Sequence, residues 1–196
     1  MQVTADNIFE LARDSSNLNE ITKTFASENE RTCLWFESHG ALLASYLRLM
    51  LEHRDLDVKI MGSHRWKTNH LLSDIDAVIV TAYDNPASIM ERLAEFYQLH
   101  YKDVSQFRTV TKAGLYLLVM KDFADPHLSK MKLEYTIQSP AINQKLITEM
   151  SAKLVTKFAT TEEKTVYALE MMKAVRDNNM PRQMELKGWT RVLAEA

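Results

Sequence analysis

The run "SDIDAVIVTA", Ser73 to Ala82, constrains the fold more than any other stretch of the chain. From Ala77 onward it is almost wholly apolar and β-branched, which is the pattern of a strand buried on both faces. Yet it is headed by two aspartates, Asp74 and Asp76, separated by one isoleucine. A carboxylate loses solvation beside a core, and two close together repel each other. Such a pair needs a cation between its members, a metal ion or a neighbouring Lys or Arg, or failing that, exposure to water. In an extended strand, alternate residues share a face, so Asp74 and Asp76 project together, roughly 6–7 Å apart, while Ile75, Ala77 and Ile79 point the other way.

A second strand repeats the oddity. In "KMKLEYTIQ", Met131, Leu133, Tyr135 and Ile137 alternate onto one face, leaving Lys132, Glu134 and Thr136 on the other. Glu134 is therefore the strand-embedded candidate for a third carboxylate, with Asp122 and Asp125 beside Pro126 in reserve. Three carboxylates are a hard-oxygen set suited to divalent metal ions. The bland alternatives are a turn with both aspartates in water and, for Glu134, an edge position paired with Lys132 or Lys130. Upstream, "VKIMGS" ends an apolar run on Gly62 and Ser63. A residue without a side chain lets a ligand approach the backbone, and Ser63 offers a hydroxyl and an N–H to phosphate oxygens. Arg65 adds a charge close in sequence.

The rest of the chain places these residues. Four Gly and four Pro in 196 residues leave few tight turns and favour long helices. Residues 5 to 28 read as one or two short amphipathic helices interrupted near "DSSN". Arg31 to His53 reads as another, with Leu34, Leu42, Leu43, Tyr46, Leu47, Met50 and Leu51 forming its apolar stripe. "DVKIMGS" and "DIDAVIVTA" read as strands. "NPASIMERLAEFYQLHY" reads as a helix capped by Asn85 with Pro86 at its first position. "QFRTVTKAGLYLLVMKDF" and "KMKLEYTIQ" read as further strands joined around "ADPHLSK". Past Pro140 the pattern is helical, over 141–158, 161–179 and from about 182, with Thr160 and Glu163 as a capping box. The expectation is an α+β fold: a small mixed sheet flanked by helices over residues 1–139, and a helical C-terminal portion over 140–196.

With 46% hydrophobic and 26% charged residues and a net charge of −2, the chain has material for a real core and no global basic field. The single cysteine, Cys33, excludes an internal disulfide and suits a reducing compartment; it reads as a small buried apolar residue. The N-terminus has no secretory pattern, and no apolar run reaches the ~20 residues of a membrane span, so a cytoplasmic protein without a membrane partner is expected. His64, His70 and His127 lack a paired helical spacing and read as surface residues, with His64 close enough in sequence to Gly62–Ser63 to touch phosphate. The eleven methionines sit at core spacings.

The strand ending in Gly62–Ser63, Asp74–Ile75–Asp76 about ten residues on, and a later strand carboxylate at Glu134 resemble the nucleotidyltransferase superfamily of the DNA polymerase β type. That superfamily includes poly(A) polymerases and terminal uridylyltransferases as well as small bacterial members. The resemblance covers about residues 58–138. It implies a nucleotidyltransferase core that transfers a nucleoside monophosphate from an NTP to an acceptor hydroxyl. Mg²⁺ or Mn²⁺ would be held by Asp74, Asp76 and Glu134, and the nucleotide's phosphates by Gly62, Ser63 and Arg65. "VYALEMMKAVRDNNMPRQMELKGWTRVLA" is similar to the helical region that follows the core in poly(A) and uridylyl transferases. There Lys173 would reach the triphosphate and Trp189 would pack in the core. This second likeness makes an RNA 3′ end the expected acceptor, ahead of a protein or small-molecule hydroxyl. A non-catalytic, antitoxin-like binding module is the alternative from another class. The chain departs from the pattern in lacking a second glycine after Gly62–Ser63 and in carrying Val175 where an aromatic residue is usual. Its helical portion is also short, so the acceptor half is either minimal or supplied by a partner protein.

Overall fold

The computed structural model describes residues 2–101, 109–112, 115–118 and 133–177. The element order is α1 (Ile8–Leu11), α2 (Leu18–Met50), β1 (Leu56–Ile60), α3 (Gly62–Trp66), β2 (Ile75–Thr81), α4 (Pro86–His100), β3 (Thr109–Lys112), β4 (Leu115–Leu118), β5 (Leu133–Gln138), α5 (Pro140–Lys157) and α6 (Thr161–Arg176). This is an α+β fold with a small mixed sheet and helices after it. The turn "ADPHLSK", the reserve residues Asp122 and Asp125, His127, Trp189 and the final helix from about 182 lie outside the described residues.

The described elements form two compact units. One comprises Leu34–Met61 and Asp74–Lys145, the other Met1–Cys33, Gly62–Ser73 and Leu146–Ala196. In the first, three strands run in the order β1-β2-β5, with β1 antiparallel and β2 parallel to β5. The central position of β2 agrees with its continuous apolar run: Ile75, Ala77 and Ile79 are buried on one face, Val78 and Val80 on the other. The first face is covered by Phe36, Leu43 and Leu47 from α2 and by Ile89, Leu93 and Phe96 from α4. Gly40 permits the close approach of α2. A Cβ there would stand 3.2 Å from the Phe36 ring and 3.3 Å from the Val58 carbonyl oxygen. Asn85 caps α4, its side chain accepting from the Ser88 N–H at 3.1 Å, with Pro86 at the first turn. β3 and β4 pair as a separate antiparallel ribbon.

The second unit is helical. Ile8, Ile21, Phe25, Ala168 and Met172 form its main cluster, and Met150 and Leu154 pack with Trp66, Phe158 and Tyr167. Thr22 and Thr165 join hydroxyls at 2.9 Å, and the Arg176 guanidinium lies over the Phe9 ring. The Thr160–Glu163 capping box is present in both directions at the start of α6.

Two expectations are corrected. The interruption near "DSSN" is a 3-10 turn at Ser15–Asn17, and beyond it α2 runs unbroken for 33 residues. The polar stretch "ASENERT" holds no helix breaker, so the helix propagates through it. The apolar stripe of α2 is also differently composed, since Leu34 and Leu42 are exposed and Phe36, His39, Gly40, Leu43 and Leu47 make the buried face. Steps of three and four residues recur on both sides of a long helix rich in leucine, so the periodicity alone does not choose the inner side.

A polar knot sits inside the apolar core of the sheet-bearing unit. His39 Nε2 is 2.6 Å from the Tyr97 hydroxyl and 3.3 Å from that of Tyr135, and His39 Nδ1 is 2.8 Å from the Tyr101 hydroxyl. Tyr97 and Tyr135 are also hydrogen-bonded to each other, and Trp35 stacks on the imidazole at 4.6 Å. Burial drives the His39 pKa down to about 4, so the ring is neutral and offers one donor and one acceptor to its tyrosines. Removing the ring orphans buried hydroxyls and opens a cavity. His39→Ala is therefore expected to lower unfolding free energy by roughly 2–4 kcal/mol in urea titrations. Tyr101→Phe, at the half-buried end of the chain of contacts, should cost about 1 kcal/mol.

Candidate active site

The parallel register of β2 and β5 decides which side chains are neighbours. Ile75 stands beside Leu133, Asp76 beside Glu134 and Ala77 beside Tyr135. Adjacent strands lie about 4.8 Å apart, so Asp76 and Glu134 extend side by side from one face of the sheet. Ile75, Ala77, Leu133 and Tyr135 fill the core on the other. β2 opens at Ile75, so Asp74 precedes the strand and is not its first pleated residue. It is nevertheless close enough for its charge to act on Asp76.

Asp76 bears the consequence. Burial first, then the charge of Glu134, then that of Asp74 push its pKa from 3.8 up to about 7. Its backbone is held as well: the Met61 N–H donates to the Asp76 carbonyl oxygen at 2.7 Å, extending the β1–β2 ladder by one bond. Among the described residues, no three His, Cys, Asp or Glu side chains are gathered closely enough to hold one ion. The chemistry of the donors does fit a hard divalent cation. Asp76 is partly buried, flanked by like charge and raised in proton affinity, and a cation seated between the carboxylates removes the repulsion that a bound proton otherwise relieves.

The other candidates lie in the second unit. Gly62 has φ of +60°, a left-handed backbone that favours glycine, and it begins the single-turn helix α3. Ser63 is buried beside it, and Arg65 is partly buried later in the same turn. Gly62 directly follows Met61 in the chain, so it is one peptide away from the residue bonded to Asp76. Lys173 is an exposed residue of α6. The structure thus brings together Asp76 and Glu134, with Asp74 in electrostatic reach. It leaves the Gly62–Ser63 turn and Lys173 as features of the helical unit, on separate elements.

His64 and His70 are a correction, since both are only 2% exposed. His70 Nδ1 accepts from the Leu72 N–H at 3.0 Å, and the His70 N–H donates to the Ser73 hydroxyl at 2.9 Å. The loop is thus folded about its own imidazole. Burial, then the nearby His64, lower the His70 pKa to about 3, and a neutral ring can be enclosed where a cation cannot. Asn69 ties the same loop to α2 through its Nδ2, which donates to the Phe25 carbonyl at 3.3 Å. The one sequence cue was the His70–Ser73 spacing around two leucines.

The raised pKa of Asp76 makes a stability prediction. Its folded pKa lies above its unfolded one, so the folded state holds the proton more tightly. That contribution is complete below about 3.8 and is lost as pH rises through about 7. Asp76→Asn cannot ionise and keeps it. In urea titrations with EDTA, the stability of Asp76→Asn relative to wild type should rise from pH 4.5 to pH 8. A gap that stays constant with pH would remove the electrostatic coupling.

No protein-family model and no curated protein matches the sequence. Among solved structures, the chain is similar to Cid1 in a study of its RNA terminal uridylyl transferase activity, at 13% identity and a TM-score of 0.43, over 70% of this chain and 44% of that one. It is similar to a Cid1 poly(U) polymerase mutant bound to MgATP at 14% identity and a TM-score of 0.45, over 83% of this chain and 50% of that one. It is also similar to a structure of the GLD-2/RNP-8 complex at 10% identity and a TM-score of 0.49, over 84% and 70% of the respective chains. The chain therefore spans less than half the length of the first of these.

Proposed function

We propose that this chain is a metal-dependent nucleotidyltransferase that moves a nucleoside monophosphate from an NTP to an acceptor hydroxyl, with an RNA 3′ end as the first-choice acceptor. The observation that carries the reading is the carboxylate array: Asp76 abreast of Glu134 on a parallel strand, with Asp74 acting on it from the preceding residue pair.

In this reading Asp74, Asp76 and Glu134 hold Mg²⁺ or Mn²⁺. Bound divalent ions would supply an activated acceptor hydroxyl and neutralise charge on the departing pyrophosphate. Asp76 holds the central place because both other carboxylates act on it. Glu134, beside Asp76 on β5, would take the acceptor's proton. The sequence resemblance assigns the phosphates to the Gly62 backbone, the Ser63 hydroxyl, Arg65 and Lys173. The catalytic residues then lie within a core over 1–139, followed by a helical portion over 140–196, in a cytoplasmic protein. Among the described residues, no helix is long and apolar enough to cross a membrane.

The test is incubation with each labelled NTP, Mg²⁺ or Mn²⁺, and a short RNA. Extension of the RNA supports the proposal. Label on protein or small molecule shifts the acceptor, and no transfer with any NTP leaves a binding module. Asp76→Asn should cut turnover at least ~10³-fold, equivalent to ~4 kcal/mol of transition-state stabilisation. Near-wild-type turnover would sink the catalytic assignment. Independently of activity, Mn²⁺ at pH 8 should raise the melting temperature of wild type more than that of Asp76→Asn, because only a folded site binds the ion. Ser63→Ala should weaken NTP binding by roughly 1–2 kcal/mol and act mainly on KM. Unchanged NTP affinity in calorimetry would take Ser63 out of the phosphate site.

A further inference from the structure

The outward face of α2 in the sheet-bearing unit is unusual in what it shows to solvent. Leu34 is 60% exposed, Leu42 53% and Leu49 75%. With Ser38, Ala41 and Ser45, which are also exposed, they occupy an arc of about 100° on the helix. No charge interrupts this arc from Leu34 to Leu49. The inward face of the same segment, Phe36, Leu43 and Leu47, is already used by the core. A surface leucine alone needs no explanation, but three aligned on one helix form a patch.

The order of residues on this face reads the same from either end except at the central pair, Ala41 and Leu42. About the midpoint between Ala41 and Leu42, Leu34 is as far out as Leu49 and Ser38 as far out as Ser45. A two-fold axis through that midpoint, perpendicular to the helix, would place Leu34 level with the partner's Leu49, Ser38 with the partner's Ser45, and Ala41 with the partner's Leu42. Charge agrees with the same operation. Glu37 and Arg48 are exposed on one flank of the arc. The two-fold lays like flank on like flank, so Glu37 comes within about two residues, roughly 3 Å along the axis, of the partner's Arg48. Arg48 Nε donates to the Leu56 carbonyl at 2.6 Å, which anchors the base of the guanidinium and leaves its terminal N–H groups for such a contact. In a parallel pairing, Glu37 would lie on the opposite flank from the partner's Arg48 and about 16 Å from it along the axis.

We infer that this face docks a second copy of the chain, as an antiparallel α2–α2 pair centred between Ala41 and Leu42. Ser38, Ala41 and Ser45 keep the middle of the contact narrow enough for the helices to approach, Leu42 lies at the edge of the central layer, and Leu34 and Leu49 fill the layers on either side. A single helix pair about 24 Å long is a small interface, so the dimer forms at tens to hundreds of micromolar and is transient.

Two measurements test this in the full chain. In sedimentation equilibrium from 5 to ~500 μM, wild type should show a monomer–dimer equilibrium, with dissociation at least 10-fold easier in Leu42→Glu and in Glu37→Arg. Both positions are exposed, so neither change touches the core. In a Cys33→Ser background, mixed Ser38→Cys and Ser45→Cys proteins should form the 38–45 disulfide at least 10-fold faster than either forms its own homodimer. Like positions in the antiparallel pair are about 10 Å apart along the axis. A monomer at every concentration would overturn the proposal, as would association insensitive to Leu42→Glu. Preferred 38–38 and 45–45 crosslinks would replace it with a parallel or non-specific contact.

Discussion

The parallel pairing of β2 with β5 is the interaction on which the remaining features depend. Parallel neighbours cannot be joined by a tight turn, so the chain must leave β2, cross over and return, and α4 lies on that route. The pairing sets Asp76 abreast of Glu134, and by the two-residue period of the pleat it sends Ile75, Ala77, Leu133 and Tyr135 into the core beneath. A slip of one residue would exchange the faces, burying carboxylates and exposing the tyrosine. The cost of that error is what holds the register.

The two sides of this sheet handle polarity in opposite ways. Beneath it, His39 and its tyrosines satisfy one another with neutral groups, and the imidazole gives up its charge to be buried. Above it, Asp76 has carboxylates for neighbours, and its discomfort appears as a raised proton affinity. Their proton linkages oppose each other. Acidification below pH 6.5 penalises the buried neutral imidazoles of His39 and His70, whose folded pKa values are depressed. The same acidification favours Asp76.

Much of this was legible in the sequence where a local rule had one outcome. The apolar run after Asp76 read as a central strand, Asn85–Pro86 as the opening of a helix, and Thr160 with Glu163 formed the cap their spacing announces. The likeness of "DID" to "LEY", two acidic residues each embedded in an apolar strand, pointed to neighbouring positions that the register then supplied. Legibility failed where the outcome depends on tertiary packing. Which side of α2 faces inward is set by Gly40 meeting the β1 backbone, and no count of leucines reveals it. His39, His64 and His70 looked like surface residues or drew no notice because a histidine's burial depends on partners far away in sequence, such as Tyr97 and Tyr135 for His39.

The crossover has a kinetic side. Ile75 and Leu133 are partners far apart in the chain, whereas β1 and β2 meet across the short excursion from Ile60 to Ala77. Closing the longer loop costs more chain entropy before any ladder bond forms, so the β2–β5 pairing is the more expensive of the two to initiate. Glu134 arrives with it. Asp76 therefore gains Glu134 as a neighbour only once β5 has paired, and a nascent chain that has not yet released β5 carries Asp74 and Asp76 without it.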